Sequence, residues 1–545
     1  MSRADGVDRT LAAVVALSVL ALCVRLVGLG DRPFAWGEAR VGVWALRFVR
    51  TGVFEYRPVA GGPLPYHLAR ASLALFGASD FAARLPVALV GGLLPLSALG
   101  LRSRLRDDET VLLAGILALS PPLVYYGRVL RGDLLLAAAA FLACALVVRA
   151  VDTDHRGYAY GAAVAVAAAV AASGFVVATV ACVAVAAAVV LDARRLSTDA
   201  LSRLRDRLGA SSTLLARCFL AFAAALFFLF APRGGPVGLW SPASFLQVLE
   251  FVVSEAPGRF YAVRIASRYT SEATHPLLPF VTSLVRTLLA AALPTVALAA
   301  FGALHERYAG QRRPLVTFFA VWAAVGVLVY PTVAEVDAPW TAVHVLLPAA
   351  VPAAVGAGRG LRYVRRAVAR DDAPAIAAAL LVVVAGVAVA GGVLASEVYG
   401  EPTPDDALAG YAQPADDLEP FAANVSAATP TSASVASQRP TVLYYGDRFH
   451  TERWTEAEGP PVPTNWGARL PLPWYTAREG ATATTLSSDA TFPENPPPVV
   501  VADPAEAERL GPLLSNYERG RYRLALWNRE VVVFVRESGS SQESS

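Results

Sequence analysis

Lysine is absent from this 545-residue chain, so all 47 residues of the Lys/Arg class are arginine. Methionine occurs once, cysteine four times, and only 17% of residues are charged. Each shortage narrows the possible functions. Cys23, Cys144, Cys182 and Cys218 all lie inside apolar runs and share no CxxC spacing. Thiols so placed read as small hydrophobes, and neither a disulfide framework nor a metal site is indicated. No Walker loop, GxSxG elbow or HExxH helix is present, so the chemistries those motifs mark have no support here. Net charge is only +3, and nothing points to nucleic acid as a partner or to any cofactor. The missing lysine and abundant alanine read first as coding bias.

What the chain has is apolar length. Hydrophobic residues make up 55% of it, and mean hydropathy is +0.47. Many blocks approach the roughly 20 residues that a helix needs to cross a bilayer. The fold class expected is mainly α: a polytopic membrane helical bundle. Eleven spans are expected, over 10–29, 82–101, 109–127, 131–150, 158–173, 174–191, 212–231, 277–303, 314–331, 341–357 and 374–395. The first run lacks a small-x-small cleavage pattern and reads as a retained helix. Spans five and six form one run, broken only at Ser173–Gly174.

Arginine placement orients the bundle. With the N-terminus inside, internal loops carry Arg102, Arg104 and Arg106, then Arg194 to Arg207, then Arg307, Arg312 and Arg313, then Arg359 to Arg370. This satisfies the positive-inside rule, and it requires the break at Ser173. A multi-pass cell-membrane protein is expected, with loops 30–81 and 232–276 and the whole tail outside.

The chain divides into a membrane domain over 1–395, a linker over 396–413, an external α/β domain over 414–537 and a disordered end over 538–545. The tail's strand cores are "TVLYYG", "PPVVVAD", and a hairpin of "YRLALW" with "VVVFVR". Asp503, Pro504 and Glu506 mark a helix start. One Asn-x-Ser acceptor site stands at Asn424.

Ionisable groups at the membrane are costly, so they are the functional candidates. The first loop supplies Glu38 and Arg40, then Glu55, Tyr56, Arg57, His67 and Arg70. Val41, Trp44, Ala45 and Phe48 fall at helical spacing, which predicts amphipathic helices lying in the interface. The turn after span three, "PPLVYYGRVLRGD", gathers Tyr125, Tyr126, Arg128, Arg131 and Asp133. Two arginines on an outside turn run against the positive-inside trend, and guanidinium forks suit phosphate oxygens. The entrance of span ten crowds Glu335, Asp337, Trp340 and His344.

Taken together, these segments resemble the GT-C glycosyltransferases, membrane enzymes related to dolichyl-phosphate-mannose–protein mannosyltransferases. The chain is most similar to the archaeal flippase-activity-associated family. The resemblance rests on "EARVGVWALRFVRTGVFEYRP", "SDFAARLPVALVGGLLPL", "LVYYGRVLRGD", "APWTAVHVLLP" and "YAQPADDL". It implies a lipid-linked sugar phosphate as donor, membrane lipid around it, and transfer on the external face to a glycan or protein acceptor; the residues themselves show no metal site recognisable by spacing. Glu38 would be the general base. Arg40, Tyr56, Arg57, His67, Tyr126, Arg128, Arg131, Asp133, Asp337, Trp340 and His344 would bind substrate. Family members usually carry an acid where Gly37 stands. That departure supports an alternative, a non-catalytic accessory in lipid-linked glycan assembly or flipping. A transporter is less well supported, since no inverted repeat is evident.

Overall fold

The computed structural model describes residues 3–58, 61–191, 211–263, 276–309, 313–334, 336–410, 413–430, 439–451, 466–526 and 529–537. Eight of its helices are long and apolar enough to cross a membrane: Arg9–Leu26, Asp80–Leu101, Gly132–Thr153, Ser212–Phe230, Leu277–Tyr308, Pro314–Val333, Pro339–Val368 and Ala373–Val398. Expected spans three, five and six fall on shorter helices. Span three is the 13-residue helix Asp107–Leu119 followed by the single turn Pro121–Tyr126. Pro121 and Pro122 supply no backbone N–H and interrupt the ladder. Spans five and six are Arg156–Ala172 and Val176–Leu191, separated at an extended Ser173.

That separation is pinned from two sides. A Cβ on Gly62 would lie 1.9 Å from the Ala171 carbonyl oxygen, and one on Gly132 1.9 Å from that of Ala172. Backbone meets backbone here, which only glycine permits.

One end of the bundle is tied by ion pairs. Buried Glu109 meets Arg313 and Arg362, and buried Glu306 meets Arg313 and Arg359. Arg102 pairs with Asp107, and Arg104 with Asp152. The loop arginines of the sequence pattern are therefore also fastenings between helix ends.

The first loop lies at the other end. Its two expected helices form, as Trp36–Thr51 and Leu64–Phe76. The first is largely covered: nine of its residues are buried. The C-terminal domain lies on it, and Trp474 stacks on Phe34 with ring centroids 4.6 Å apart. Gly42 makes room, since a Cβ there would meet both rings at 2.8 Å.

The C-terminal domain has a five-stranded sheet, in the order Ala483–Leu486 (β2), Val442–Tyr445 (β1), Val499–Ala502 (β3), Glu530–Arg536 (β5) and Tyr517–Arg523 (β4). β1 (Val442–Tyr445) pairs in parallel with β2 (Ala483–Leu486) and β3 (Val499–Ala502). β5 (Glu530–Arg536) joins β3 and β4 (Tyr517–Arg523) antiparallel. The expected hairpin forms with its first strand earlier than read. The polar stretch "YERGRYR" is the edge strand, while Leu524, Ala525 and Leu526 turn into the core. β2 has too little apolar content to announce itself. The helix Pro504–Leu510 starts at Asp503, whose carboxylate accepts from the Ala505 N–H at 3.1 Å. Asn424 sits within the helix Glu419–Ala428, half-buried. The expected disordered end, 538–545, lies outside the described residues.

Candidate functional site

Glu38 sits in the first turn of helix Trp36–Thr51 and is 1% exposed. Its carboxylate is fully engaged. Arg84 grips it with both prongs, Nε to Oε1 at 2.8 Å and Nη2 to Oε2 at 2.7 Å. The backbone N–H of Ala35 donates to Oε2 at 3.0 Å, and that of Leu130 to Oε1 at 2.7 Å. Arg84 spends its remaining donors on the carbonyls of Leu29, Arg32 and Pro33. The pair thus splices the first loop, helix Asp80–Leu93 and the Arg128–Arg131 turn.

Arg128 performs a similar service. It donates to the carbonyls of Val24, Arg25, Val27 and Gly28, where the first helix ends, and lies 4.9 Å from the Tyr399 ring. Carbonyls at a helix C-terminus lack partners in the helix and attract cations. Glu38, Arg84 and Arg128 line a small cleft with Arg32, Tyr125 and Gln413. Tyr126 is buried and donates to the Leu408 carbonyl at 2.7 Å.

Arg131 faces elsewhere. Its Nε donates to Asp133 at 2.8 Å, and its guanidinium lies 3.8 Å from the Trp340 ring centroid. Buried Asp133 also accepts from Ser173 at 3.2 Å. His344 is 1% exposed and stacks on Tyr330 at 4.7 Å. Its Nε2 stops 3.7 Å from Asp133, too far for a hydrogen bond. Both that nitrogen and the Trp340 indole N–H are buried without a partner. Gly37 closes the cluster: a Cβ there would stand 2.9 Å from Nη1 of Arg131. Position 37, not 38, is the one aimed at this guanidinium.

The other expected residues scatter. Arg40 lies against Trp36, and Arg57 lies 4.1 Å from the Trp44 ring centroid. Tyr56 is buried edge-on to Phe230. Asp337 is exposed, and Glu335 lies outside the described residues. Among the described residues, no group of three or more His, Cys, Asp or Glu side chains could hold a metal.

His67 forms a small centre of its own. Its Nε2 lies 2.8 Å from the Leu229 carbonyl, and Arg233 reaches the ring at 2.9 and 3.1 Å. Burial, then the Arg233 charge, pulls its pKa down to about 4. The unfolded chain therefore binds the extra proton more readily. This contribution is intact above about pH 6.5 and is lost as pH falls towards 4. Thermal melts across that window should show stability falling with pH. His67→Gln should flatten that limb, and an unchanged profile would count against the assignment.

The sequence reading missed Arg84 and Arg25 because both sit inside apolar runs. Arg25 is fully buried and donates to the carbonyls of Ala21, Leu117, Ala118 and Leu123. An arginine within a span is itself a signal, since its burial demands partners. The sequence reading also missed Asp80, which accepts from Trp474 at 2.7 Å, Tyr475 at 3.2 Å and Arg478 at 3.3 Å.

Residues 58–204 match the family model for dolichyl-phosphate-mannose-protein mannosyltransferase. Residues 419–536 match that for the Agl23 flippase-associated protein C-terminal domain. No curated protein matches the chain. Among solved structures, ArnT from Cupriavidus metallidurans in the apo state is similar, with TM-score 0.58 and 17% identity, covering 96% of this chain and 97% of that one. The same protein bound to undecaprenyl phosphate gives 0.56 and 16%, covering 96% and 98%. The Archaeoglobus fulgidus oligosaccharyltransferase tethered to an acceptor peptide gives 0.52 and 13%, covering 97% and 76%. At these identities the likeness is one of fold.

Proposed function

From the premise that this chain has the GT-C fold of membrane glycosyltransferases, we propose that it binds a polyprenyl-phosphate-linked glycan as an accessory in lipid-linked glycan assembly or flipping. The lipid phosphate meets the Arg131 guanidinium, beside the indole N–H of Trp340 and the imidazole of His344. The cluster lies at the bundle end that carries the C-terminal domain, the outer face by the arginine pattern. The observation that carries this reading is the state of the acids. A general base must reach the acceptor's proton. Glu38 gives its carboxylate to four donors, and position 37 has no side chain to offer. Arg131 gives its Nε to Asp133, and its two terminal nitrogens still suit phosphate oxygens.

The match of residues 58–204 to a mannosyltransferase family favours a second reading, transfer of sugar at the same cluster. One experiment separates the two. Purified protein in nanodiscs is titrated with dolichyl phosphate, then incubated with dolichyl-phosphate-mannose. Binding should raise the melting temperature, and no mannose should be released or transferred. Arg131→Lys keeps the charge and loses the fork, so affinity should fall about tenfold to a hundredfold, the worth of one charged hydrogen bond. Turnover would establish the second reading. Affinity unchanged in Arg131→Lys would remove the phosphate from this cluster.

A further inference from the structure

Residues 242–261 form one continuous, irregular helix. A 3-10 turn at Pro242–Ser244 leads into α-helical Phe245–Glu250, a π-turn at Phe251–Glu255 and α-helical Ala256–Tyr261. It has three faces. Phe251 and Ala256 are buried in a small apolar cluster with Tyr56 and Phe230. Gln247, Glu250 and Ser254 are exposed and polar. Phe245, Leu246, Leu249 and Val253 fall on a third face at spacings of a helical turn. Leu246 is 76% exposed and Val253 68%, and Trp240, just before the helix, is 73% exposed.

Apolar groups this exposed need an occupant, and two further observations say which. The spanning helix Ser212–Phe230 ends directly beside this segment, and the ring of Phe227 lies 6.1 Å from that of Phe245. That spanning helix packs on helix Arg156–Ala172 along one side, yet the most apolar stretch of it has none of its residues fully buried, so its other side is open to lipid. The third face continues the same apolar surface past the helix end. The segment is also held firmly: Arg259 donates to the Glu55 carboxylate and the Tyr56 carbonyl. It begins just after that long apolar helix ends and is tied to the first loop.

We infer that residues 240–253 lie in the membrane plane, with Trp240, Phe245, Leu246, Leu249 and Val253 in the headgroup–acyl boundary of the lipid. Tryptophan is favoured at that depth, and a helix with one apolar and one polar face lies along it. This goes beyond the glycan-handling role and does not depend on it. Helix Trp36–Thr51, where the sequence suggests such a surface, is instead covered by the C-terminal domain.

The test is a depth measurement on the full chain in phosphatidylcholine nanodiscs. A fluorophore on Leu246→Cys, with the four native cysteines changed to alanine, should be quenched by spin-labelled lipid carrying its label near the head of the acyl chain. It should be shielded severalfold from aqueous iodide relative to the same label on Gln247→Cys. Equal iodide access at the two positions overturns the inference. So does a Leu246 label that lipid cannot quench, whether a second copy or another protein covers it. A wild-type measurement guards against misfolded variants. In nanodiscs, hydroxyl radicals should oxidise Trp240 no faster than buried Trp474, and markedly faster oxidation of Trp240 overturns the inference as well.

Discussion

Glu38→Gln should cost the protein its fold before it costs any activity. The amide retains one acceptor oxygen, and its NH2 must then face donors of Arg84 and of either Ala35 or Leu130. Arg84 would be left as a buried charge lacking its counterion, an arrangement that costs about 3–5 kcal/mol. The melting temperature in nanodiscs should drop sharply and the yield of folded protein should fall. Arg84→Gln should do comparable damage. The double variant should cost less than the sum of the two, because the partners are in contact. A catalytic base behaves otherwise: replacing it leaves a folded protein with turnover down by roughly 10²–10⁴. A Glu38→Gln protein as stable as wild type would sink the structural assignment.

The second large effect is at Asp80. This carboxylate is the acceptor for Trp474 and Tyr475, and it also meets Arg478, all on the C-terminal domain. Asp80→Ala would leave the Trp474 and Tyr475 donors without this acceptor, while Arg478 keeps Glu419 and Glu479. Each buried donor left unmatched costs about 1–3 kcal/mol. The loss falls on the joint between bundle and domain, not within either. Limited trypsin digestion should release the C-terminal domain faster, with the bundle's helices intact by circular dichroism. Asp80→Asn keeps one acceptor for Trp474 and should fall between the two. Digestion at the wild-type rate in Asp80→Ala would show that the stacked rings of Phe34 and Trp474 suffice.

Apolar run length made the bundle legible in the sequence, since bilayer length acts locally. Even the break at Ser173 could be read. The strands "TVLYYG" and "PPVVVAD" could be read as well, because their β-branched and aromatic runs are short and bounded. The site was legible only in part. Arg131, Asp133, Trp340 and His344 do converge. Glu38 and Arg128 line one cleft, yet their polar atoms serve the backbone. The Glu38–Arg84 pair joins residues 46 apart in sequence, and Asp80–Trp474 joins residues 394 apart. No local pattern encodes such pairings. Arg84 was concealed by its neighbours, because a single arginine hardly lowers the mean of an apolar window.

The arginines that fasten the upper bundle do most of their bonding to neutral carbonyls. Arg25 and Arg128 each bind four carbonyls, and Arg84 binds three beside Glu38. A lysine has three donors on one atom and could not span these sets. Mobile ions screen exposed charges separated by a Debye length, and they barely touch a buried donor held against a dipole. The joints around the first helix are therefore indifferent to ionic strength. A chain without lysine has at these points a skeleton that brine does not loosen.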